Sequence, residues 1–277
     1  MENQKKLESL PNPPVVLIAG DSHAARSIED DSLQSAFNMA YFGENPMRTY
    51  YRIKHYLKHN QPPKYIILQA DAARYSGNFL QFNTNYFFYV RYVEYSELLI
   101  EDQHNPEYFF TGLKYKLLPY IEFRDVVAKN KEKKRKKAEL DFCSVSDAKK
   151  EYEVQQFIRV KVLSNRPELL YDDLSLRYLE KTIKLCEKYN VEPIFIKFPV
   201  HELFTSTLRL FCGEELYNRR LQDSIINSAG YKIWDYEDYF SERCDLFIDS
   251  HHMNKRGREV FTGLLKERIN SELLLEE

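Results

Sequence analysis

Short runs of wholly apolar residues recur along this chain, and stretches with helical periodicity separate them. The first run, residues 15–19, reads Val-Val-Leu-Ile-Ala, which is typical of a strand buried on both faces of a parallel sheet. Further candidate strands are residues 37–41, 65–68, 193–198 and 231–236. Strands that alternate with helices predict an α/β fold, a doubly wound parallel sheet in a three-layer α/β/α arrangement.

Polar capping residues mark the ends of the predicted helices. Asn45 precedes one helical stripe, and Asp172 or Asp173 can cap another. A third stripe runs through residues 216–225, and the last helix begins at about Lys255. These signals predict helices after the second, third, fourth and fifth candidate strands.

The 277-residue chain divides into three parts by composition. Residues 1–13 are polar and end in prolines, so we expect a flexible arm. Residues 14–75 and 170–277 carry the strand and helix alternation and predict the α/β core. Residues 76–169 are aromatic-rich and break the rhythm, which predicts a mostly helical insertion. It could form a lid or substrate wall, since sites of such sheets lie beyond the carboxyl ends of the strands; its aromatic residues also fit an ordinary helical subdomain.

Charge and hydropathy argue against two classes of partner. Forty basic and 42 acidic side chains leave a net charge of −2, which makes nucleic acid a poor partner. No apolar run approaches the roughly 20 residues that span a bilayer, so we expect no membrane segment. A soluble, cytoplasmic protein is the expectation, and an extracytoplasmic one is possible if a leader has been removed. The sequence leaves the oligomeric state open.

The cysteines give no metal-binding signature, and the adjacent pair His251-His252 with Asp249 could ligate a metal only with help from elsewhere in the chain. The four cysteines are widely spaced and form no CxxC pair, so we expect reduced side chains, although spacing alone does not exclude a disulfide. We predict neither a bound metal nor a cofactor.

The sharpest local feature is Gly20-Asp21-Ser22-His23, which directly follows the first candidate strand. Ser22 can cap a helix in such a turn, without any chemistry. It can also act as a nucleophile at the carboxyl end of the strand, provided that a base takes its proton.

A candidate base lies near the other end of the chain, in the loop before the last helix. Asp249 stands three residues before His252, where its carboxylate can accept the second ring N–H and orient the imidazole. His251 is the nearest competitor, but the spacing to Asp249 favours His252.

These blocks resemble the SGNH/GDSL hydrolase superfamily in order and in context. The resemblance rests on Gly20-Asp21-Ser22 after the first strand, Gly43 after the second, and Asp249-x-x-His252 before the last helix. It implies a flavodoxin-like fold with Ser22 as nucleophile, His252 as general base and Asp249 as its partner. It also implies an oxyanion hole that includes the backbone N–H groups of Ser22 and Gly43.

One block departs from the pattern of that superfamily. Its third block normally offers Gly-x-Asn-Asp, whereas this chain has Gln69-Ala70-Asp71-Ala72. An ionised Asp71 would repel an oxyanion instead of donating to it. Either Gln69 or Asn78 donates instead, or Asp71 points elsewhere, or catalysis is weakened. His23 is expected to be structural or to line the substrate site.

The resulting hypothesis is a serine-dependent esterase or O-acyltransferase acting on a small ester. The Gly20–His23 start is similar to a branch associated with acyl modification of bacterial polysaccharides, which implies O-acetyl groups of a carbohydrate as substrate. Asp71 motivates an alternative, a catalytically impaired protein with a glycan-binding or assembly role. A metallophosphoesterase ranks third, because Gly77-Asn78 is not followed by the histidine that its ligand blocks require.

Overall fold

The computed structural model describes residues 13–33, 35–76, 142–164 and 166–273, and it contains a five-stranded sheet in which every neighbouring pair is parallel. The strand order is β2-β1-β3-β4-β5, which is the flavodoxin-like doubly wound order. The predicted fold class is confirmed. The strands are β1 Val16–Ala19, β2 Ala36–Asn38, β3 Tyr65–Gln69, β4 Glu192–Lys197 and β5 Ile233–Asp235.

Helices occupy the intervals between these strands, and the predicted caps begin two of them. The Asn45 side chain accepts from the Arg48 N–H at 2.8 Å, and the Asp172 side chain accepts from the Ser175 N–H at 2.7 Å. The α-helices of the described residues are α1 Ser22–Ser27, α2 Pro46–His59, α3 Asp147–Gln156, α4 Asp173–Lys188, α5 Glu202–Cys212, α6 Glu214–Asn218, α7 Leu221–Ser228 and α8 Lys255–Leu273.

Alternate residues of each strand supply two separate cores, one on each face of the sheet. Val16 and Ile18 of β1 pack with residues of α1, α5 and α8, whereas Leu17 packs with residues of α2, α4 and α7. This alternation follows from the two-residue period of a strand. Both faces are apolar, which is why the strands read as continuous hydrophobic runs.

Two features of the helical layer differ from the prediction. The stripe at 216–225 is two helices, α6 and α7, because Arg220 between them adopts a left-handed backbone with φ 44°. Its guanidinium binds Glu237 at 2.9 Å. Helix α5 was not predicted. Within the described ranges, none of the helices combines the length and apolar character needed to cross a membrane.

The described end of the predicted insertion packs into the core. Helix α3 continues into a π-helical turn, Phe157–Val162, and Val154 and Ile158 lie in the same apolar cluster as β1. The rest of the predicted insertion, up to residue 141, lies outside the described residues, as do residues 1–12 of the predicted arm. The insertion boundaries and the lid remain predictions.

The expectation of four reduced cysteines is wrong for two of them. Cys143 and Cys244 form a disulfide, with their Cα atoms 5.1 Å apart, whereas Cys186 and Cys212 are free and buried. The bond ties the segment before α3 to the turn that leads into the Asp249–His252 loop. Spacing could not reveal this pair, since the two cysteines are 101 residues apart in sequence.

We predict that replacing both cysteines, in the double variant Cys143→Ala and Cys244→Ala, lowers the free energy of unfolding by about 2–5 kcal/mol, because the bond restricts a long loop of the unfolded chain. Urea denaturation measures this, and dithiothreitol should lower wild type to the level of the double variant. Dithiothreitol should leave the double variant unchanged. Titration of four free thiols in denatured, unreduced wild type would contradict the prediction.

Helix α8 begins in direct contact with the backbone before the Asp249–His252 loop. A Cβ atom at Gly257 would lie 2.1 Å from the Leu246 carbonyl oxygen, a distance that no side chain tolerates. The Gly257 N–H donates to Asn254 Oδ1 at 2.9 Å, and the Asn254 N–H donates to the Leu246 carbonyl at 2.9 Å. Gly257 therefore sets how closely the last helix approaches this loop.

We predict that Gly257→Ala lowers the free energy of unfolding by about 1–3 kcal/mol or more, since the backbone must shift to admit the methyl group. Gly263→Ala, on the same helix, is the matched control: nothing lies within 4 Å of its Cβ position, so we expect a gain of up to about 1 kcal/mol. Thermal and urea unfolding compare the two. Equal free energies of unfolding for the two variants would contradict the close contact at Gly257.

Candidate active site

The predicted site residues gather at the carboxyl edge of the sheet. Ser22 follows β1 directly, Asp71 follows β3, and the loop of residues 249–252 precedes α8. Strands β1 and β3 are neighbours, and the chain winds outward from them in opposite directions. This is the switch point at which ligands of open α/β sheets bind.

Two residues fix the turn that presents Ser22. A Cβ atom at Gly20 would lie 3.0 Å from Ala24 Cβ and 3.1 Å from Gln69 Oε1, so glycine allows β1 to turn tightly into α1. The Asp21 side chain then accepts from the His23 N–H at 2.8 Å and caps α1. Asp21, not Ser22, is the cap, which leaves the Ser22 hydroxyl available for another partner.

The loop that carries the histidines is held from within. Asp249 Oδ1 accepts from the N–H groups of His251 and His252 at 3.0 and 2.8 Å. The Ile248 N–H donates to the His252 carbonyl at 3.0 Å. The neighbouring residues Phe247 and Met253 form an antiparallel bridge, so the loop is a closed, hairpin-like turn.

A continuous chain of hydrogen bonds joins Ser22 to Asp249 through one imidazole. His252 Nε2 lies 2.8 Å from Ser22 Oγ, and His252 Nδ1 lies 2.8 Å from Asp249 Oδ2. A neutral ring that donates from Nδ1 to the carboxylate presents its Nε2 lone pair to the hydroxyl. The arrangement can take the serine proton and stabilise the imidazolium that forms.

The environment of the loop keeps Asp249 ionised and His251 neutral. Burial opposes the charged carboxylate, but the hydrogen bonds from the His252 ring and from the His251 backbone N–H outweigh it and hold the pKa of Asp249 well below its ordinary value. Burial and the neighbouring His252 lower the pKa of His251 well below 6.5. The His251 ring stacks on Phe157 with centroids 4.2 Å apart. The structure thus directs His252, and not His251, toward Ser22.

Asp71 is not an unpaired charge, because both of its oxygens have hydrogen-bond partners. Its Oδ1 accepts from the Phe198 N–H at 2.8 Å, and its Oδ2 accepts from the Gln69 side-chain amide and lies 3.1 Å from His23 Nδ1. Both oxygens of Asp71 are thus engaged by other residues, which corresponds to the second of the three alternatives that the sequence left open. Gln69 is also engaged, because its Oε1 accepts from the Asp21 N–H at 3.2 Å.

The pairing with Asp71 changes the ionisation of His23. Burial alone lowers the pKa of His23, but the Asp71 hydrogen bond and the charges of Asp21, Asp71 and Asp249 raise it to about 9. A pKa raised in this way favours the imidazolium form of His23 at neutral pH. Since its folded-state pKa lies above 6.5, the pair stabilises the fold fully below pH 6.5, and this contribution is lost as the pH rises through about 9.

Gly43 lies in the loop after β2, which is attached to the Ser22 turn. The Tyr41 N–H donates to the Gly20 carbonyl at 3.0 Å, and Gly43 itself has φ 66°, a left-handed backbone that favours glycine. Asn78, the other residue predicted to donate to an oxyanion, lies outside the described residues.

Three histidines of this site bring ring nitrogens within 4.8 Å of one another: His23, His251 and His252. Nitrogen ligands about 2.1 Å from a zinc ion stand roughly 3.4 Å apart in a tetrahedral site, so the trio would have to contract to share one ion. Hydrogen bonds to Asp71, Asp249 and Ser22 account for the placement of two of these rings. We therefore describe the cluster as a hydrogen-bond network.

Arg74 is a buried residue of the site that the sequence analysis missed. Its guanidinium lies 3.5 Å from Asp21 Oδ2 and donates to the Glu44 carbonyl at 3.0 Å and to Thr49 Oγ1 at 2.6 Å. It thus joins the loops after β1, β2 and β3. An arginine three residues after Asp71 carries no motif, and only the tertiary structure reveals its role.

We predict that Arg74→Met lowers the free energy of unfolding by about 3 kcal/mol or more, because it leaves a buried carboxylate and a buried carbonyl without their donor. Arg219→Met is the control: Arg219 is exposed and, among the residues that the structure describes, its side chain pairs only with Glu215, at 3.5 Å, so we expect a change within about 0.5 kcal/mol. Urea denaturation measures both. A loss below about 1 kcal/mol for Arg74→Met would show that this guanidinium does not join the three loops.

The chain has limited similarity to known proteins. One protein-family model matches residues 161–274, which is less than half of the sequence. A search of curated protein sequences finds no significant match. Among solved structures, the chain is similar to a proposed acylhydrolase from Bacteroides fragilis NCTC 9343, with a TM-score of 0.46 and 10% identity, over 97% of this chain and 94% of that one.

Proposed function

We propose that this protein is a serine-dependent esterase or O-acyltransferase that acts on a small ester, an O-acetyl group of a carbohydrate. The observation that carries the proposal is the pair of 2.8 Å contacts from His252 to Ser22 and to Asp249. The residues are 230 and three positions apart in sequence, so their alignment is a property of the fold. The carbohydrate ester rests on the resemblance of the Gly20–His23 turn alone.

In the proposed reaction, Ser22 Oγ attacks the acyl carbonyl carbon while its proton passes to His252 Nε2. The carbonyl electron pair moves to oxygen and forms an oxyanion. His252 then returns the proton to the departing alcohol, which leaves an acyl group on Ser22. Water or a sugar hydroxyl attacks next, with His252 again as the base, and Ser22 is restored.

The oxyanion needs donors in addition to the triad. Ser22 is the first residue of α1, so its N–H has no acceptor within the helix. We propose that this group and the Gly43 N–H donate to the oxyanion. The attachment of the Tyr41 N–H to the Gly20 carbonyl supports this pairing of the two loops.

The disulfide bears on where the protein works. Stable disulfides form and persist in oxidising compartments and are rare in the cytosol. The Cys143–Cys244 bond therefore favours the extracytoplasmic alternative over the cytoplasmic one.

A fluorophosphonate probe tests the proposal directly. We predict that wild type is labelled stoichiometrically, that Ser22→Ala is not labelled, and that Asp249→Asn and His252→Ala are labelled at least about 100-fold more slowly, since each loses part of a unit that acts together. Ser224→Ala, which changes an exposed serine on α7, is the matched control and should label like wild type.

The other candidate functions give different outcomes. Folded wild-type protein that takes no label would contradict the proposal and favour the glycan-binding or assembly role. Phosphate release that a chelator abolishes would favour a metallophosphoesterase. Release of free acetate would indicate hydrolysis, whereas acetylation of an added sugar would indicate transfer.

A further inference from the structure

The proposed oxyanion hole has no side-chain amide where the resembling superfamily has one, and the residue at that position is a carboxylate. Asp71 directs both of its oxygens to the Phe198 N–H, Gln69 and His23. Another group near Ser22 must therefore supply the hydrogen-bond donor to the oxyanion that Asp71 does not.

His23 lies beside the reacting atoms. It follows Ser22 in the chain, it is 8% exposed, and its ring meets the His252 ring edge-on with centroids 5.7 Å apart. One of its nitrogens lies within 4.8 Å of a His252 ring nitrogen, and His252 Nε2 is itself 2.8 Å from Ser22 Oγ. His23 therefore neighbours the Ser22–His252 pair at which the carbonyl would react.

The orientation of the ring leaves one nitrogen for a ligand. His23 Nδ1 faces Asp71 Oδ2 at 3.1 Å, which commits that nitrogen to the carboxylate. The second nitrogen, Nε2, has no hydrogen-bond acceptor among the residues that the structure describes. When the ring is an imidazolium, both nitrogens carry protons, and the second N–H is a charge-assisted donor.

We propose that the His23 Nε2–H group donates to the oxyanion formed at Ser22, so that the His23–Asp71 pair replaces the missing side-chain amide. This inference rests on the proposed function. As the Ser22 Oγ–carbon bond forms, the carbonyl pair moves to oxygen, and His23 donates a hydrogen bond to it without giving up its proton. The proton of Ser22 passes to His252, as before. Asp71 is then a positioning residue, and its charge is balanced by the imidazolium.

The charged groups around His23 favour its protonated form up to mildly alkaline pH. Burial opposes the charge, but the Asp71 hydrogen bond and the nearby carboxylates raise the pKa to about 9. Three carboxylates act on His23, those of Asp71, Asp21 and Asp249, and its ring lies beside the rings of His251 and His252. Arg74 pairs with Asp21, and Arg26 acts on His251. The pKa of His251 is lowered, and burial raises that of Tyr75 far above 9, so neither of these two titrates near that pH.

The test is the pH dependence of fluorophosphonate labelling between pH 6 and 10.5. We expect the wild-type rate to fall above about pH 9, as His23 loses its proton. Asp71→Asn removes the partner that favours the proton, so the alkaline fall should move to lower pH. His23→Leu, which has no donor at this position, should label about 10²–10³-fold more slowly, the cost of one oxyanion donor, and should show no alkaline fall. His59→Gln, an exposed histidine on α2, is the matched control and should match wild type.

A second measurement needs no catalytic activity. Nuclear magnetic resonance of isotope-labelled histidine in wild type should show one ring, assigned to His23 by its loss in His23→Leu, that titrates near pH 9. The same ring should titrate at lower pH in Asp71→Asn.

The outcomes separate this inference from the proposed function. Labelling of His23→Leu at the wild-type rate with an unchanged alkaline fall, or a His23 ring that titrates near 6.5, would overturn the inference and leave the serine mechanism standing. Absence of Ser22-dependent labelling in wild type at every pH would overturn both.

Discussion

Parallel pairing of β1 with β2 and β3 is the constraint on which the site depends. All five strands point the same way, so the chain leaves every strand at one edge, and polar residues placed just after strands must meet there. Ser22 and Asp71 occupy equivalent positions after neighbouring strands. The sheet therefore brings together residues that are about 50 positions apart, without any local motif to join them.

The charges at this edge occur as pairs, and their pairing explains how so many are buried. Asp21 faces Arg74 and Asp71 faces His23, and all four are almost fully buried. A lone buried charge costs several kcal/mol, and removing one partner of a pair costs a similar amount. The site is thus a set of mutually dependent groups, in which a conservative change at one residue alters the ionisation of another.

Sequence patterns revealed much of the fold because strands buried on both faces must be continuously apolar, and because Asn45 and Asp172 are caps that act locally. The Asp249–His252 unit was also visible, since it is complete within four residues. Arg220 was not, because a left-handed arginine between two helices has no composition signal. Neither the Cys143–Cys244 bond nor the His23–Asp71 pair could be predicted, since each requires knowing which distant elements are neighbours.

The packing of His251 shows how the segment 142–164 is coupled to the site. The His251 and His252 rings lie side by side, with centroids 4.1 Å apart, and His252 lies within hydrogen-bond distance of Ser22. The His251 ring is covered by Phe157, from the turn after α3, and by Phe204 of α5 with centroids 5.3 Å apart. The disulfide holds the start of that segment to the residues before the loop. Packing on His251 thus fixes the backbone from which His252 reaches the serine, and the orientation of the proposed base depends on a segment that contributes no polar group to the reaction.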